Sequence, residues 1–263
     1  MLLLLFSLLA LASEPDSRPV LVIVGMGAEA KIAAGQGAIV VSSAGDAALL
    51  HSRLAGIGHD QVRAVISFGI AGALDPALQS GDALVGGRVV GEGQKAWPAD
   101  SALSAYLRAQ SAAKEGTVLA HDGISEVDAA SRAAARATTG ADIVDEESHI
   151  AAALAESEGL PFSLIRAVAD PASSTLPPAA TLPLNADGEP DTTSILFSLL
   201  RHPWQISDLL AMKQDFAKAL DALRSLRSHF DWIQAPGAAQ RAVSSISRPP
   251  YPRALPKNRT VPK

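Results

Sequence analysis

Two carboxylate positions separated by one strand carry the chemistry that this chain can do. Val144-Asp145-Glu146-Glu147-Ser148-His149 opens an alanine-rich helix, and the run Phe162-Ser163-Leu164-Ile165-Arg166-Ala167-Val168-Ala169 reads as a buried strand that ends on Asp170. In open α/β sheets, ligands bind outside the carboxyl ends of the strands. Asp170 is therefore placed where a ligand meets the fold, and Glu147 sits on the helix entering the same region. Two carboxylates facing one ligand suit proton donation and hydroxyl binding. The pair points to an enzyme acting on a small molecule that contains a sugar.

The elements that must hold these groups alternate between strand and helix. Val20–Val24 is a continuous apolar run before a glycine turn, as expected of a central strand. Further strands are predicted at Ala38–Ser42, Ala64–Phe68, Asp82–Val90, Thr117–Ala120, Ile143–Val144 and Ser163–Ala169. Helices are predicted at Ala47–Gly56, Ser101–Lys114, Ala129–Ala137 and Ser148–Glu158, with a long helical stretch from Ser194 to Trp232 that can break at Pro203. This alternation predicts a three-layer α/β/α fold with a mixed, largely parallel central sheet over residues 19–232. Residues 1–18 read as an apolar N-terminal extension and residues 233–263 as a basic tail without packed structure.

Two glycine-rich segments let backbone approach a ligand closely. Gly25-Met26-Gly27-Ala28-Glu29-Ala30 matches the G-x-G-x-x-A pattern of dinucleotide sites. However, Gly35 and Gly37 end its helix after barely two turns, and the next strand ends in Ser42-Ser43 rather than an acid, so a dinucleotide is not expected. The block Ile66-Ser67-Phe68-Gly69-Ile70-Ala71-Gly72, followed by Ser80-Gly81-Asp82, reads as a strand, a small-residue turn and a second strand. Its amides and small side chains form a shelf for a sugar or a ring.

Composition narrows the partners. The chain has 263 residues, 48% of them hydrophobic, enough for a full core, and a net charge of −5 argues against nucleic acid as the main partner. It has no cysteine, so disulfides, thiolate metal sites and a cysteine nucleophile are out of reach. Residues 1–12 are almost wholly apolar. That is shorter than the roughly 18–20 residues of a membrane span, and it has the length of a signal apolar region with Ala10-Leu11-Ala12 as a cleavage-like end. No Lys or Arg precedes Arg18, so secretion is the weaker reading beside a membrane-touching tail or an early start codon. The expected location is cytoplasmic, with peripheral membrane contact open through either end.

Three blocks in order carry a family resemblance: the first strand with Gly25 to Glu29, the Gly69 to Asp82 block, and Asp145-Glu146-Glu147 with Arg166 to Asp170. Through them the chain resembles the purine nucleoside phosphorylase and nucleosidase superfamily. Within it, the chain is most similar to the hopanoid-associated phosphorylases, through Asp170-Pro171-Ala172, Leu176-Pro177-Pro178-Ala179, Asp187-Gly188 and His202-Pro203-Trp204-Gln205. The resemblance implies cleavage of a purine N-glycosidic bond, most specifically release of adenine from adenosylhopane. It implies that Asp170 protonates the purine at N7 and that Glu147 holds the ribose hydroxyls. Ile70, Ala71 and Gly72 match the turn beside sugar and base, and Ile124 falls near the base. It implies no metal and no redox cofactor, a small nucleoside as partner, and a homodimer.

The chain departs from the pattern in places that bear on mechanism. Glu146 stands where related nucleosidases often have methionine, which puts a further carboxylate near the sugar. Nucleosidases place a water-activating glutamate near Ala30, and this chain offers Glu29 one residue earlier. The arginines that phosphorylases use are replaced by Glu29 and Ser67, with Lys31 and Arg88 as the nearest cations. A phosphate dianion needs Arg, Lys or a helix N-terminus, so water is favoured over inorganic phosphate as acceptor, with phosphate kept as an alternative co-substrate. The alternative functions are a methylthioadenosine or adenosylhomocysteine nucleosidase, and a nucleoside- or lipid-binding relative without catalysis.

Overall fold

The structure is a computed structural model that describes residues 16–237 apart from 110, 183 and 186. The apolar stretch at 1–12 and the basic tail beyond 237 lie outside the described residues, and with them the expectations attached to them. Eight strands form one sheet: β1 (Val20–Val24), β2 (Ala38–Ser42), β3 (Ala64–Ala73), β4 (Ala83–Val90), β5 (Ala96–Pro98), β6 (Lys114–Ala120), β7 (Ile143–Asp145) and β8 (Phe162–Asp170). The helices are α1 (Gly27–Ala33), α2 (Ala47–Leu54), α3 (Ser101–Arg108), α4 (Ala129–Thr139), α5 (Ser148–Glu158), α6 (Thr192–Arg201) and α7 (Ile206–Arg227).

The sheet is mixed, as expected. β1 pairs in parallel with β2 and β3, and β3 in parallel with β8. From β8 the pairing continues to β4 (antiparallel), β6 (parallel) and β7 (parallel), and β7 returns antiparallel to β3. The strands β3, β8, β4, β6 and β7 therefore close on themselves, with β1 and β2 extending outward from β3 and β5 from β4. β3 and β8 are the longest strands, and their pairing from Val65–Phe162 to Gly72–Asp170 is the spine of the ring.

Period-two alternation sends successive residues to opposite layers. Val20, Val22 and Val24 pack with α1, α3 and α7, together with Phe68, Leu103, Leu107, Leu223 and Trp232. Leu21 and Ile23 pack with α2 and α5, against Leu50, Leu54, Ile150 and Ala155. The two apolar clusters, one on each face, make the three layers. Trp232 is fully buried, its Nε1–H donates to the Ala33 carbonyl at 2.7 Å, and it meets Phe68 edge-on and Phe230 at a tilt.

Three expectations need correction. Gly69–Gly72 is not a turn: β3 continues through it to Ala73, because β8 pairs along it, with a register shift between Ala71 and Gly72, and β7 pairs with Gly72 and Ala73 on the other edge. α3 stops at Arg108 rather than Lys114, since Lys114–Gly116 pairs with β4, and this tertiary pairing overrides the helix propensity of the alanines before it. The short strand β5 was not foreseen. The break at Pro203 is found, with α6 ending at Arg201 and α7 starting at Ile206, but the helix stops at Arg227, and Trp232–Gln234 is a separate 3-10 turn.

Trp232 closes the far end of the domain, and its truncation tests that role. Trp232→Ala is expected to destabilise the chain by about 3–5 kcal/mol, read as a lower urea midpoint. An unchanged midpoint would mean that the segment after α7 is not part of the cooperative unit.

Candidate active site

β8 carries a charged residue in its middle. Arg166 is fully buried, and its Nε–H donates to Asp145 Oδ2 at 2.6 Å. Its Nη2 donates to Ser67 Oγ at 2.6 Å and Ser148 Oγ at 3.2 Å, and lies 3.7 Å from Glu147 Oε2. An unpaired buried guanidinium would be prohibitive, so these partners are a condition of the strand's existence. Asp145, at the end of β7, also caps α5: its Oδ1 accepts from the amides of Glu147 at 3.2 Å and Ser148 at 2.9 Å. One carboxylate thus fixes both the arginine and the start of the helix that carries Glu147.

Glu147 is buried, and its Oε1 accepts from Ser43 Oγ at 2.9 Å. It lies against the backbone of Gly25, where a Cβ would come within 2.8 Å of Oε1. Burial pushes its carboxyl up to about 8; Arg166 works against that rise, while Asp145 and Glu29 add to it. A protonated Glu147 both donates and accepts, which matches a pair of sugar hydroxyls.

Glu29, on α1, is only 2% exposed. Its Oε2 accepts from the amides of Gly25 at 2.8 Å and Met26 at 2.9 Å, and its Oε1 from the amide of Ile70 at 2.7 Å. These three bonds tie the first glycine turn to β3. Burial raises its pKa, opposed by Arg166 and the three amides. Glu29 therefore braces the turn, and Oε1, which accepts from a single amide, keeps a lone pair that the expected water-positioning role can use.

Asp170 ends β8 opposite Gly72. Gly72 also pairs with Val144 on the other side of β3. Neighbouring strands lie about 4.8 Å apart, so Asp170 and the start of the Asp145–Glu147 segment flank the same glycine at a Cα separation of about 10 Å. The pKa of Asp170 is raised by burial, with the Arg132 guanidinium opposing the rise. Arg132, from α4, forms an ion pair with Asp170 Oδ2.

The remaining expected residues are distributed around this centre. Ile70 is half-buried and Ala71 is buried on β3. Ile124 is 46% exposed in the loop after β6. Glu146 is half-buried with no hydrogen-bond partner among the described residues, and its pKa is raised by burial and by Asp145. Its neighbourhood holds two histidine–carboxylate pairs, His121–Glu126 at 3.1 Å and His149–Asp122 at 3.0 Å. The two cations considered for phosphate turn elsewhere: Lys31 pairs with Glu189 at 3.0 Å, and Arg88 donates to Thr117 at 3.3 Å.

Residues 171–205 run across the site. Leu176 N–H donates to the Val127 carbonyl, and Gly27 N–H donates to the Gly188 carbonyl, so the segment reaches from the β6–α4 loop to the first glycine turn.

The phosphorylase superfamily model matches residues 20–195, a span that includes every site residue above. The chain belongs to the phosphorylase superfamily. Its fold is similar to that of Helicobacter pylori MTAN, a mutant solved with 5′-methylthioadenosine in the active site, at 15% identity and a TM-score of 0.53, over 82% of this chain and 100% of that one. The native futalosine hydrolase of H. pylori matches at 14% identity and a TM-score of 0.51, over 81% and 99%. The 5′-methylthioadenosine/S-adenosylhomocysteine nucleosidase of Colwellia psychrerythraea, solved with adenine, matches at 19% and 0.51, over 71% and 96%. No curated protein matches the chain by sequence.

Glu147 links site and stability with a definite sign. Its folded pKa, about 8, lies above the ordinary value of 4.5. As pH rises past 4.5 the unfolded chain loses this proton while the folded one keeps it, so the group costs stability progressively up to about pH 8 and by a constant amount above, on the order of a few kcal/mol. Glu147→Gln, which cannot ionise, is expected to gain stability relative to wild type across that window in urea titrations. A wild-type-minus-variant difference that stays flat with pH would show that Glu147 is ionised in the folded protein.

Proposed function

We propose that the chain cleaves the N-glycosidic bond of a purine nucleoside with water as acceptor. The observation that carries this reading is that Asp170 pairs with Gly72 from one side and the segment leading to the buried Glu147 pairs with it from the other, with burial raising the pKa of both carboxyls. Asp170 gives its proton to N7 of the purine as the C1′–N9 bond breaks and its electron pair moves to the base. Water adds at C1′ and loses one proton to solvent. Glu147 holds the sugar hydroxyls, where hydrogen bonding or ionisation favours the cationic sugar of the transition state. Glu146, Ile70, Ala71, Gly72 and Ile124 complete the walls for sugar and base. No metal or redox cofactor has a part in this scheme.

Water is preferred to phosphate on electrostatic grounds. Arg166 and Arg132 are both paired with carboxylates, with only Arg166 Nη1 left without a hydrogen bond, and Lys31 and Arg88 have partners elsewhere.

For the substrate we favour adenosylhopane, a nucleoside with a large apolar 5′ substituent. An open groove of about 480 Å³, lined by Pro178, Leu182, Phe197, Arg201 and His202 among others, lies in the segment that follows Asp170. Phe197 lines the groove and is 55% exposed, and Trp204, Ile206 and Leu210, which follow it in the chain, are each at least half exposed. Such a face suits an apolar tail or peripheral contact with a membrane; no described helix is long and apolar enough to cross one. A homodimer and a cytoplasmic location complete the proposal. The second reading, a methylthioadenosine or adenosylhomocysteine nucleosidase, is favoured by the likeness in fold to such enzymes and uses the same Asp170 and Glu147.

The test is adenine release from adenosylhopane and from methylthioadenosine, with and without inorganic phosphate. Release from adenosylhopane without phosphate is expected; release only with phosphate would overturn the choice of acceptor. Preference for methylthioadenosine would support the second reading, and no release from any nucleoside would favour a binding protein. Asp170→Asn should lower turnover by about 10²–10⁴-fold in a chain that still folds, at a stability cost from leaving the buried Arg132 without its carboxylate. Wild-type turnover by a folded Asp170→Asn protein would remove the acid role.

A further inference from the structure

Arg132 has no part in the scheme above, yet it is the charged group closest to the proposed acid. It lies in the first turns of α4, and its side chain is fully buried. Its Nε–H donates to the Glu126 carbonyl at 3.0 Å. Its Nη1 donates to the carbonyls of Ala73 at 3.2 Å, Asp170 at 3.4 Å and Pro171 at 3.3 Å. Its Nη2 forms the ion pair with Asp170 Oδ2. One guanidinium thus joins the ends of β3 and β8, the Asp170 carboxyl, and the loop between β6 and α4 that contains Ile124.

We propose that Arg132 is a positioning residue, which fixes the direction of the Asp170 carboxyl and couples it to the loop that flanks the base. This rests on the acid role proposed for Asp170. Three features support it beyond mere proximity. Arginine's planar fork can hold carbonyls and a carboxylate at once, which a lysine ammonium cannot do in the same geometry. The absence of a side chain at Gly72 leaves room for the pair, since a Cβ there would stand 3.2 Å from Arg132 Nη1 and 3.3 Å from Asp170 Oδ2. The N-terminus of α4 is also set firmly: Asp128 caps it through the Ser131 amide at 2.8 Å, and the Ser131 hydroxyl returns to the Asp128 amide acceptor-wise at 3.1 Å. The arginine therefore projects from a rigid base.

The charged groups around Asp170 determine the sign of the effect. Arg132 on α4 favours the ionised carboxylate, while Asp215 on α7 and burial favour the protonated acid. Removing the Arg132 charge should let Asp170 keep its proton to higher pH. Removing only the fork should leave the charge effect and lose the aim.

Three variants separate these effects, measured on the full chain with the nucleoside that the wild type cleaves. Arg132→Lys is expected to lower kcat by about 10–100-fold with KM within about threefold and the alkaline limb of the pH profile unmoved. Arg132→Met is expected to move that limb to higher pH by about one to three pH units. Adding Arg132→Met to Asp170→Asn should change turnover by less than about twofold, since the arginine acts through the aspartate. Wild-type kcat in Arg132→Lys, a loss carried by KM alone, or a full additive loss in the double variant would overturn the proposal. If Arg132→Met does not fold, Arg132→Lys and the double variant, which leaves no buried charge unpaired, still decide it.

A carbon NMR titration of the aspartate carboxyls, with the Asp170 signal assigned from Asp170→Asn, gives a readout independent of turnover. Asp170 should titrate at higher pH in Arg132→Met than in wild type, and an identical titration would overturn the coupling even if the chain cleaves no nucleoside. Failure to cleave any nucleoside, with the titration moved as expected, would refute the catalytic reading instead.

Discussion

The Arg166 guanidinium, buried in the middle of β8, is the constraint on which the site depends. A charge removed from water must be met by opposite charge and by acceptors. Asp145, Ser67 and Ser148 meet it, and each comes from a different element: β7, β3 and α5. Those elements are brought together by the closing of the sheet, in which β7 returns to β3. Asp145 does two things at once, since its second oxygen caps α5 and so sets the backbone from which Glu147 projects. Glu147 is left at 3.7 Å from the arginine, outside its hydrogen-bonded shell. That distance, together with burial, leaves Glu147 a carboxyl that holds its proton.

Glycines on β3 and in the turn after β1 let these groups approach. At Gly69 an added Cβ would sit 2.4 Å from Arg166 Nη1 and 2.5 Å from Glu29 Oε1, and at Gly25 it would strike Glu147. The small residues of β3 therefore do more than form a ligand shelf. They are the space into which the charged cluster and the Arg132–Asp170 pair fit. Side chains at Gly25 and Gly69 would collide with Glu147, Glu29 and Arg166, while one at Gly72 would crowd the other pair.

Much of the fold was legible because strong periodicity survives tertiary context. β1 and β2 have the expected ends, and β8 was foreseen from an apolar run closed by one carboxylate. The positions of Asp170 and Glu147 followed from strand and helix ends. Illegible features were those created by pairing at a distance. Gly69–Gly72 has turn composition, and only pairing with β8, joined by β7 at Gly72, makes it strand. Lys114 to Gly116 follows an alanine-rich helix, and only β4 draws it into the sheet. Arg166 did leave a signal, a lone arginine inside an apolar strand, which demanded buried partners. Ser43 was noticed only as the absence of an acid, and it turned out to be the donor to Glu147. Arg132 left no signal, because one arginine in an alanine-rich helix is usually solvated.

The two carboxyls of the proposed reaction stand in different electrostatic company, which bears on the acceptor. Asp170 has an arginine of its own, whereas Glu147 shares Arg166 with Asp145 and faces Glu29 as well. The Glu147 side is therefore richer in carboxyls than in cations. A phosphate dianion brought there would meet Asp145 and Glu29 beside an arginine already shared among carboxyls, of which only Nη1 lacks a hydrogen bond. Neutral water carries no such cost, and a sugar gaining positive charge is favoured once Glu147 gives up its proton. Glu147 thus changes role with its proton: holding it, the carboxyl is a hydrogen-bond partner for the sugar hydroxyls, and releasing it leaves the carboxylate that favours a cationic sugar.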